Sequence, residues 1–323
     1  MKVDVAAVRK RVALVGECML ELQGEAFGAM QQGFGGDTLN TAVYLARCGA
    51  AAGIQTFYAT GLGEEGLSAG LMQRWAAEGI ALDLVRRIPG RMPGLYLIEV
   101  DAKGERSFSY WRDTSAAKAY FEAETTPLEQ RAGEWDALYL SGISLAILPP
   151  AGRERLFALM EALRARDATV VFDNNYRPRL WPQIADARAA FARAFELATI
   201  ALVTADDHQA LLGLDSLAAG VAAAQQLPTP EIVIKRGAAP TLLRASAGAV
   251  WQQAATEAVA QVVDTTAAGD SFAAGYLSRR LASVPAQEAA LFGNRLAARV
   301  IQHRGALIAP AAMADLLGGA QAA

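Results

Sequence analysis

Short apolar runs that end in Gly, Asp or Asn alternate along this chain with longer Ala/Leu/Arg stretches at helical spacing, a pattern that points to a parallel sheet covered by helices. The spacing predicts strands over 12–15, 54–60, 137–141, 169–173, 200–204 and 232–235. It predicts helices over 38–48, 66–78, 153–165, 186–197, 206–212, 269–281 and 286–303. α/β sheets of this kind bind ligands beyond the carboxyl ends of their strands. Asp173-Asn174-Asn175, Thr204-Ala205-Asp206-Asp207 and Lys235-Arg236-Gly237 fall there. With 323 residues and 53% hydrophobic content, the chain can bury the core such a domain needs.

One region breaks the alternation. Residues 95–100 and 106–111 flank the turn signal Asp101-Ala102-Lys103-Gly104-Glu105, which reads as a hairpin. At a period of two, Phe108, Tyr110 and Arg112 share one face, where a cation and two aromatics meet a ligand together. A small sheet with one apolar face needs cover, from the main domain or from a second subunit, so a homo-oligomer through this β lid is expected. There is no internal repeat or low-complexity linker, and the Ala-rich segment after Pro310 reads as a loosely held terminus.

Charge and cysteine content narrow the function. A formal net charge of −3 without a basic block argues against nucleic acid and against an anionic membrane surface, leaving a small molecule as the expected partner. Residues 1–11 lack the apolar core of a signal peptide, and no run is long and apolar enough to span a bilayer. Cys18 and Cys48 are too few for a disulfide framework and fit a reducing cytoplasm, where they serve as small buried hydrophobes. His208 and His303 lack metal-ligand spacing, and Trp75, Trp135, Trp181 and Trp251 read as packing residues.

Three segments carry chemistry. The run Asp264-Thr265-Thr266-Ala267-Ala268-Gly269-Asp270 follows an expected strand over 260–263 and opens a helix marked by Phe272, Tyr276 and Leu277. Small residues let the N–H groups of Ala267, Ala268 and Gly269 approach an anion at a helix N-terminus, and Asp270 is placed to take a proton from an attacking hydroxyl. The dull alternative is a strand-to-helix turn with Asp270 serving the helix dipole. In Gly33-Phe34-Gly35-Gly36-Asp37-Thr38-Leu39-Asn40-Thr41-Ala42, the glycines serve either as turn formers or as room for a hydroxyl-bearing ligand beside Asp37, Thr38 and Asn40. The segment matches neither the phosphate-loop nor the dinucleotide pattern. Third, Arg177 follows a strand end, where a guanidinium contacts either a carboxylate or phosphate ligand or a surface acid; Arg179 reads as structural.

Together the second and first of these segments resemble the two signatures of the ribokinase-like (PfkB) sugar kinase family: Gly35-Gly36 with Asn40-Thr41-Ala42 and Leu45-Ala46-Arg47, and Asp264 through Asp270. The resemblance runs over residues 11–310, leaving 1–10 as an extension and 311–323 as a tail. It implies a three-layer α/β/α sandwich with a mainly parallel sheet and a β lid, the lid formed mainly by about 85–115 plus a strand near 14–35. It further implies ATP and magnesium, with phosphorylation of the 6-hydroxyl of a keto sugar acid, 2-dehydro-3-deoxy-D-gluconate. By position, Gly35, Gly36, Asp37 and Asn40 would bind hydroxyls, and Tyr96, Tyr110, Arg112, Asn175 and Arg177 would hold the acid. Asp270 would be the base beside Ala267, Ala268 and Gly269. Thr204, Lys235, Arg236, Gly237 and Asn294 would meet the nucleotide.

The family's usual pattern departs from this chain twice. It has glycine at the position of Ala267, where a positive φ would strain alanine. Its Asn-x-x-Glu element appears as Thr204-Ala205-Asp206-Asp207, with Asp207 left to hold metal-bound water. Alternatives are a kinase of a neutral sugar such as fructose or ribose, or a sugar-binding regulator that has lost catalysis; the intact Asp270 weighs against the latter. A nicotinamide oxidoreductase lacks an early G-x-G-x-x-G.

Overall fold

The apolar runs are buried end to end because helices cover both faces of the sheet they form. The computed structural model describes residues 9–25, 27–100 and 106–317. In chain order the strands are β1 (Lys10–Val15), β2 (Met19–Gly24), β3 (Met30–Gly35), β4 (Ile54–Leu62), β5 (Val85–Arg87), β6 (Gly94–Val100), β7 (Arg106–Trp111), β8 (Ala137–Ser141), β9 (Thr169–Asp173), β10 (Ile200–Thr204), β11 (Glu231–Arg236), β12 (Ala239–Arg244) and β13 (Gln252–Ala254). The large sheet has the order β13-β12-β11-β10-β9-β8-β1-β4-β5. It is parallel from β11 to β5, and β12 and β13 pair antiparallel at one edge.

Each face of this sheet has its own core. Tyr44, Trp75 and Tyr276 pack with Leu14 on one side; Phe57, Trp135, Phe172 and Phe191 pack on the other. Fully burying side chains of this size contributes about 2–3 kcal/mol each. On the first face the helices Asp37–Gly49, Ala268–Arg280 and Ala286–Val300 pack side by side, bringing the two glycine-rich segments to one strand edge. Arg47 of the first helix ties this face down: Glu78 accepts from its Nε and Nη2 at 2.7 and 2.6 Å, and the Ile308 carbonyl from its Nη1 at 2.7 Å.

A second sheet, ordered β3-β2-β6-β7, stands over that edge. Its register sets Glu21, Tyr96 and Tyr110 side by side, so by alternation Leu95 and Trp111 point to the opposite face. Two of its strands come from 19–35 and two from 94–111, whereas Val85–Arg87 joins β4 in the large sheet. The Gly- and Gln-containing β3 has little strand propensity of its own, and pairing with β2 supplies what composition does not.

Other boundaries differ for local reasons. The strand expected over 260–263 does not form. Instead the N–H groups of Val263 and Asp264 bond the Ile301 carbonyl at 2.8 and 3.2 Å, just past the end of the last long helix. The helix expected from 153 begins at Pro150, a residue suited to the first helical position. The described part of the segment after Pro310 is not loose: Pro310–Leu317 forms 3₁₀ turns, Met313 is fully buried, and Arg299 pairs with Asp315 at 2.7 Å. Lys10 belongs to β1, not to an extension. Residues 1–8, the hairpin turn 101–105 and residues 318–323 lie outside the described residues. No helix among the described residues is long and apolar enough to cross a membrane.

Candidate active site

The turn before helix Ala268–Arg280 is shaped by its own first residue. One oxygen of Asp264 accepts from the N–H and hydroxyl of Thr266 at 3.0 and 2.6 Å, and the other accepts from Gly305 N–H at 3.0 Å. The chain then passes through Ala267 in the left-handed region, at φ 61° and ψ 15°. That conformation costs a residue with a Cβ about 1–2 kcal/mol. The N–H of Ala268, expected to face an anion, is used on the Thr265 carbonyl at 3.2 Å. The N–H groups of Ala267 and Gly269 have no hydrogen-bond acceptor among the described residues, and they sit at the positive end of a 13-residue helix.

Asp270, in the first turn of that helix, accepts from Asn40 Nδ2 at 2.8 Å. Burial chiefly, then the neighbouring Asp37 carboxylate, push its carboxyl up to about 8, against the lowering influence of Asn40 and Lys235. Asp37 accepts from Asn175 Nδ2 at 2.6 Å. The side-chain oxygen of Asn40 is buried without a partner, an acceptor that suits a ligand hydroxyl. Gly36 permits this crowding, since a Cβ there would lie 2.1 Å from the Glu17 carbonyl oxygen. Gly35 does not line the cleft; a Cβ on it would stand 2.8 Å from the Tyr96 hydroxyl.

These groups share a cleft of about 620 Å³ between the lid and the strand edge. From the lid come Tyr96, Phe108 and Tyr110. Tyr110 stacks on both of the others, with ring centroids 5.9 and 6.3 Å away. Tyr96 donates to Glu21. Arg179, read from the sequence as structural, lies 4.0 Å over the Tyr110 ring and donates to its hydroxyl at 2.5 Å, tying the loop after β9 to the lid. Arg112 is absent from the cleft wall. It forms an ion pair with Glu17 in which the side chains are 9% and 1% exposed, because a guanidinium buried at the lid base needs an acid beside it. Arg177 lines the cleft but pairs with Asp207 at 3.2 Å.

At the other end Thr204, Lys235, Arg236, Gly237 and Asn294 all line the cleft. Asn174 braces Thr204, accepting from its N–H at 2.8 Å and donating to its carbonyl at 3.0 Å. Arg236 donates to the Pro240 carbonyl. Asn294 accepts from Thr241 at 2.9 Å and donates to the carbonyls of Ala254 and Ala255. Lys235 pairs with Asp173 at 2.9 Å. The hairpin period places Phe108 on the ligand side, as the structure does, and the strand-end position signals Asp173 and Asn174 without giving them a role; nothing local in the sequence marks Glu17 as the partner of Arg112.

Five carboxylates line the cleft, from Asp37, Asp173, Asp206, Asp207 and Asp270, against the cations Arg177, Lys235 and Arg236. A polyphosphate entering so acidic a space needs a divalent counter-ion. No cluster of three or more potential metal ligands occurs among the described residues. That donor set fits magnesium, which keeps water and substrate phosphate in its shell and uses only one or two carboxylates. Asp207, whose carboxyl burial raises despite Arg177 and Lys235, is among the carboxylates that line the cleft. His208 is buried and held down at about 4 by desolvation, and the thiols of Cys18 and Cys48 are buried and raised.

Comparison with known proteins gives a consistent picture. A family model described as "pfkB family carbohydrate kinase" matches residues 9–312. The chain is 44% identical over 306 residues to the 2-dehydro-3-deoxygluconokinase of Escherichia coli (strain K12), covering 94% of this chain and 99% of that one. It is 39% identical over 308 residues to the 2-dehydro-3-deoxygluconokinase of Haemophilus influenzae, covering 95% and 98%. The solved structure of a fructokinase with bound ATP from Xylella fastidiosa superposes with a TM-score of 0.77 at 22% identity, covering 97% of this chain and 99% of that one, a likeness of fold.

Proposed function

The chain belongs to the pfkB family of carbohydrate kinases, and we propose that it transfers the γ-phosphoryl group of ATP to the 6-hydroxyl of 2-dehydro-3-deoxy-D-gluconate. The single observation that carries this reading is the side-by-side placement of the carboxylate of Asp270, its partner Asn40 and the free N–H groups of Ala267 and Gly269. Asn40, Asp37 and Gly36 on the sugar side, with Tyr96 and Tyr110 above, fix the hydroxyl near Asp270. As the hydroxyl oxygen bonds to phosphorus, its proton passes to Asp270, the bond to the β–γ bridging oxygen breaks, and ADP leaves. The turn N–H groups hold the phosphoryl oxygens throughout. Magnesium, with Asp207 as its protein contact, supplies charge neutralisation on the phosphates. Thr204, Arg236, Gly237 and Asn294 shape the nucleotide end, and closure of the lid keeps water from competing with the sugar.

Two further assignments belong to this reading. Buried free thiols suit a reducing cytoplasm. Trp111, 60% exposed on the lid face turned from the cleft, suits a subunit contact, so Trp111→Glu is expected to shift the sedimentation of a lid-to-lid dimer to that of a monomer.

The ion pairs of Arg112 and Arg177 favour one alternative, a neutral ketose, because both guanidinium groups already have carboxylate partners. A coupled ADP-release assay over keto sugar acids, fructose and ribose separates the two. The proposal predicts a kcat/KM at least about tenfold higher for the keto sugar acid, a margin of 1.4 kcal/mol in transition-state binding. Equal or faster turnover of fructose assigns the alternative.

A further inference from the structure

Lys235 leaves β11 with its ammonium at the junction between the two halves of the cleft. Its Nζ lies 3.1 and 2.9 Å from the two oxygens of Asp173. A Cβ built on Gly269 would stand 3.5 Å from it, which puts the ammonium against the anion turn. Its charge acts on Asp207 to one side and on Asp270 to the other. The side chain is 12% exposed and Asp173 only 5%, so the acid offsets the desolvation of an enclosed cation. Asp173 is itself braced from behind: Tyr139 donates to it at 3.3 Å, and Thr41 donates to the Tyr139 hydroxyl at 3.4 Å.

The pair is not closed. An ammonium carries three protons, and the two oxygens of Asp173 occupy at most two of them, so at least one is left for a ligand. The other two cleft cations are directed elsewhere, Arg177 to Asp207 and Arg236 to the Pro240 carbonyl. Charge on a phosphoryl group in transit spreads over its equatorial oxygens, and a cation fixed beforehand in a dry site stabilises it without reorganisation. We propose that Lys235 is a catalytic residue that meets the phosphoryl group as it passes from nucleotide to sugar, and that Asp173 is the positioning residue that holds its ammonium beside Gly269. The assignment rests on the kinase reading above.

Kinetics of the full-length protein test it. Lys235→Met is expected to lower kcat by about 100-fold or more, the scale of losing one preorganised donor, with the sugar KM changed less than about threefold. Asp173→Asn is expected to lower kcat by about tenfold. In the Lys235→Met background the same change does almost nothing, since it acts through the ammonium. The pH profile gives a second readout. Asp270 is faced by Asp37 and Asn40 from the first helix, Asp173 from β9 and Lys235 from β11, with the Tyr44 and Tyr139 hydroxyls nearby. Lys235→Met moves the acid limb of kcat/KM to higher pH and Asp173→Asn moves it to lower pH; a limb that neither change moves overturns the placement of the pair beside the base.

If Lys235→Met melts below the assay temperature, Lys235→Gln, which keeps a donor for Asp173, carries the same expectations. A kcat for the lysine variant within about threefold of the parent overturns the assignment, as does an Asp173→Asn effect that persists in full without the lysine. A parent enzyme that releases no ADP with any sugar overturns the kinase reading and this inference with it. A parent that turns over while the lysine variant matches it overturns the inference alone.

Discussion

The two walls of the cleft are built by opposite means. The wall bearing Ala267 to Asp270 is the end of a helix packed between two others, shaped by Asp264 through contacts within its own turn and with Gly305. The lid wall is a four-stranded sheet whose aromatic face meets the main domain through longer-range contacts, such as Arg179 on Tyr110 and Arg112 on Glu17. On the proposed reading, the groups that must be fixed to a fraction of an ångström sit on the packed helix, and the lid adds the aromatic part of the sugar contact. Mutations in the first should change kcat, and mutations in the second should change KM.

The largest expected effect tests the helix wall. Asp270→Asn removes a proton acceptor and little else, so kcat should fall by about 1,000-fold or more while sugar affinity by calorimetry stays within about threefold. A comparable loss of affinity would erase the distinction between the walls.

On the lid, Tyr110→Ala removes stacking on Tyr96 and Phe108 and the bond from Arg179, and is expected to raise the sugar KM by about tenfold with kcat and the ATP KM nearly unchanged. A fall in kcat of the same size would move Tyr110 into the chemistry.

The raised carboxyl of Asp270 makes a third test. Because the base must be ionised, kcat/KM should climb about tenfold per pH unit on the acid side and level off near pH 8. In the fold itself the sign is opposite. Between the ordinary carboxylate value of about 4 and the raised value, the folded state binds more protons than the unfolded one, so stability falls as pH rises through that window. Thermal melts of Asp270→Asn should show that fall flattened.

The smallest effect concerns Ala267. Its left-handed backbone costs about 1–2 kcal/mol, and glycine there relieves it at the expense of a looser unfolded chain. Ala267→Gly should therefore gain about 0.5–1 kcal/mol in denaturant unfolding with kcat within twofold. A loss of stability would mean that the alanine methyl packs usefully in the turn.

The same contrast explains what could be read in advance. The helix wall is local in sequence, so seven consecutive residues announced the turn and its acid, and the strain at Ala267 followed from a missing glycine. Its neighbouring strand over 260–263 did not form, because the backbone there bonds a helix terminus instead. The lid's aromatic face was legible from the period of two in Phe108 and Tyr110. Its partners were not: Arg112 and Glu17 lie 95 positions apart, and Asp173 and Lys235 lie 62 apart. Such pairs emerge only once the strand order β11-β10-β9 and the return of the chain from β7 to the lid base are known. Arg47 shows the reverse case, a residue of the first signature that serves as a tie between helices and the C-terminal segment.

The central claim is that Asp270 takes the proton of the attacking hydroxyl beside the anion turn. A crystal structure of the enzyme with a non-hydrolysable ATP analogue and 2-dehydro-3-deoxy-D-gluconate tests it most directly. The account predicts the 6-hydroxyl oxygen within about 3 Å of an Asp270 oxygen and the terminal phosphate on the Ala267 and Gly269 N–H groups. A hydroxyl held away from Asp270, or a terminal phosphate bound elsewhere in the cleft, would contradict it.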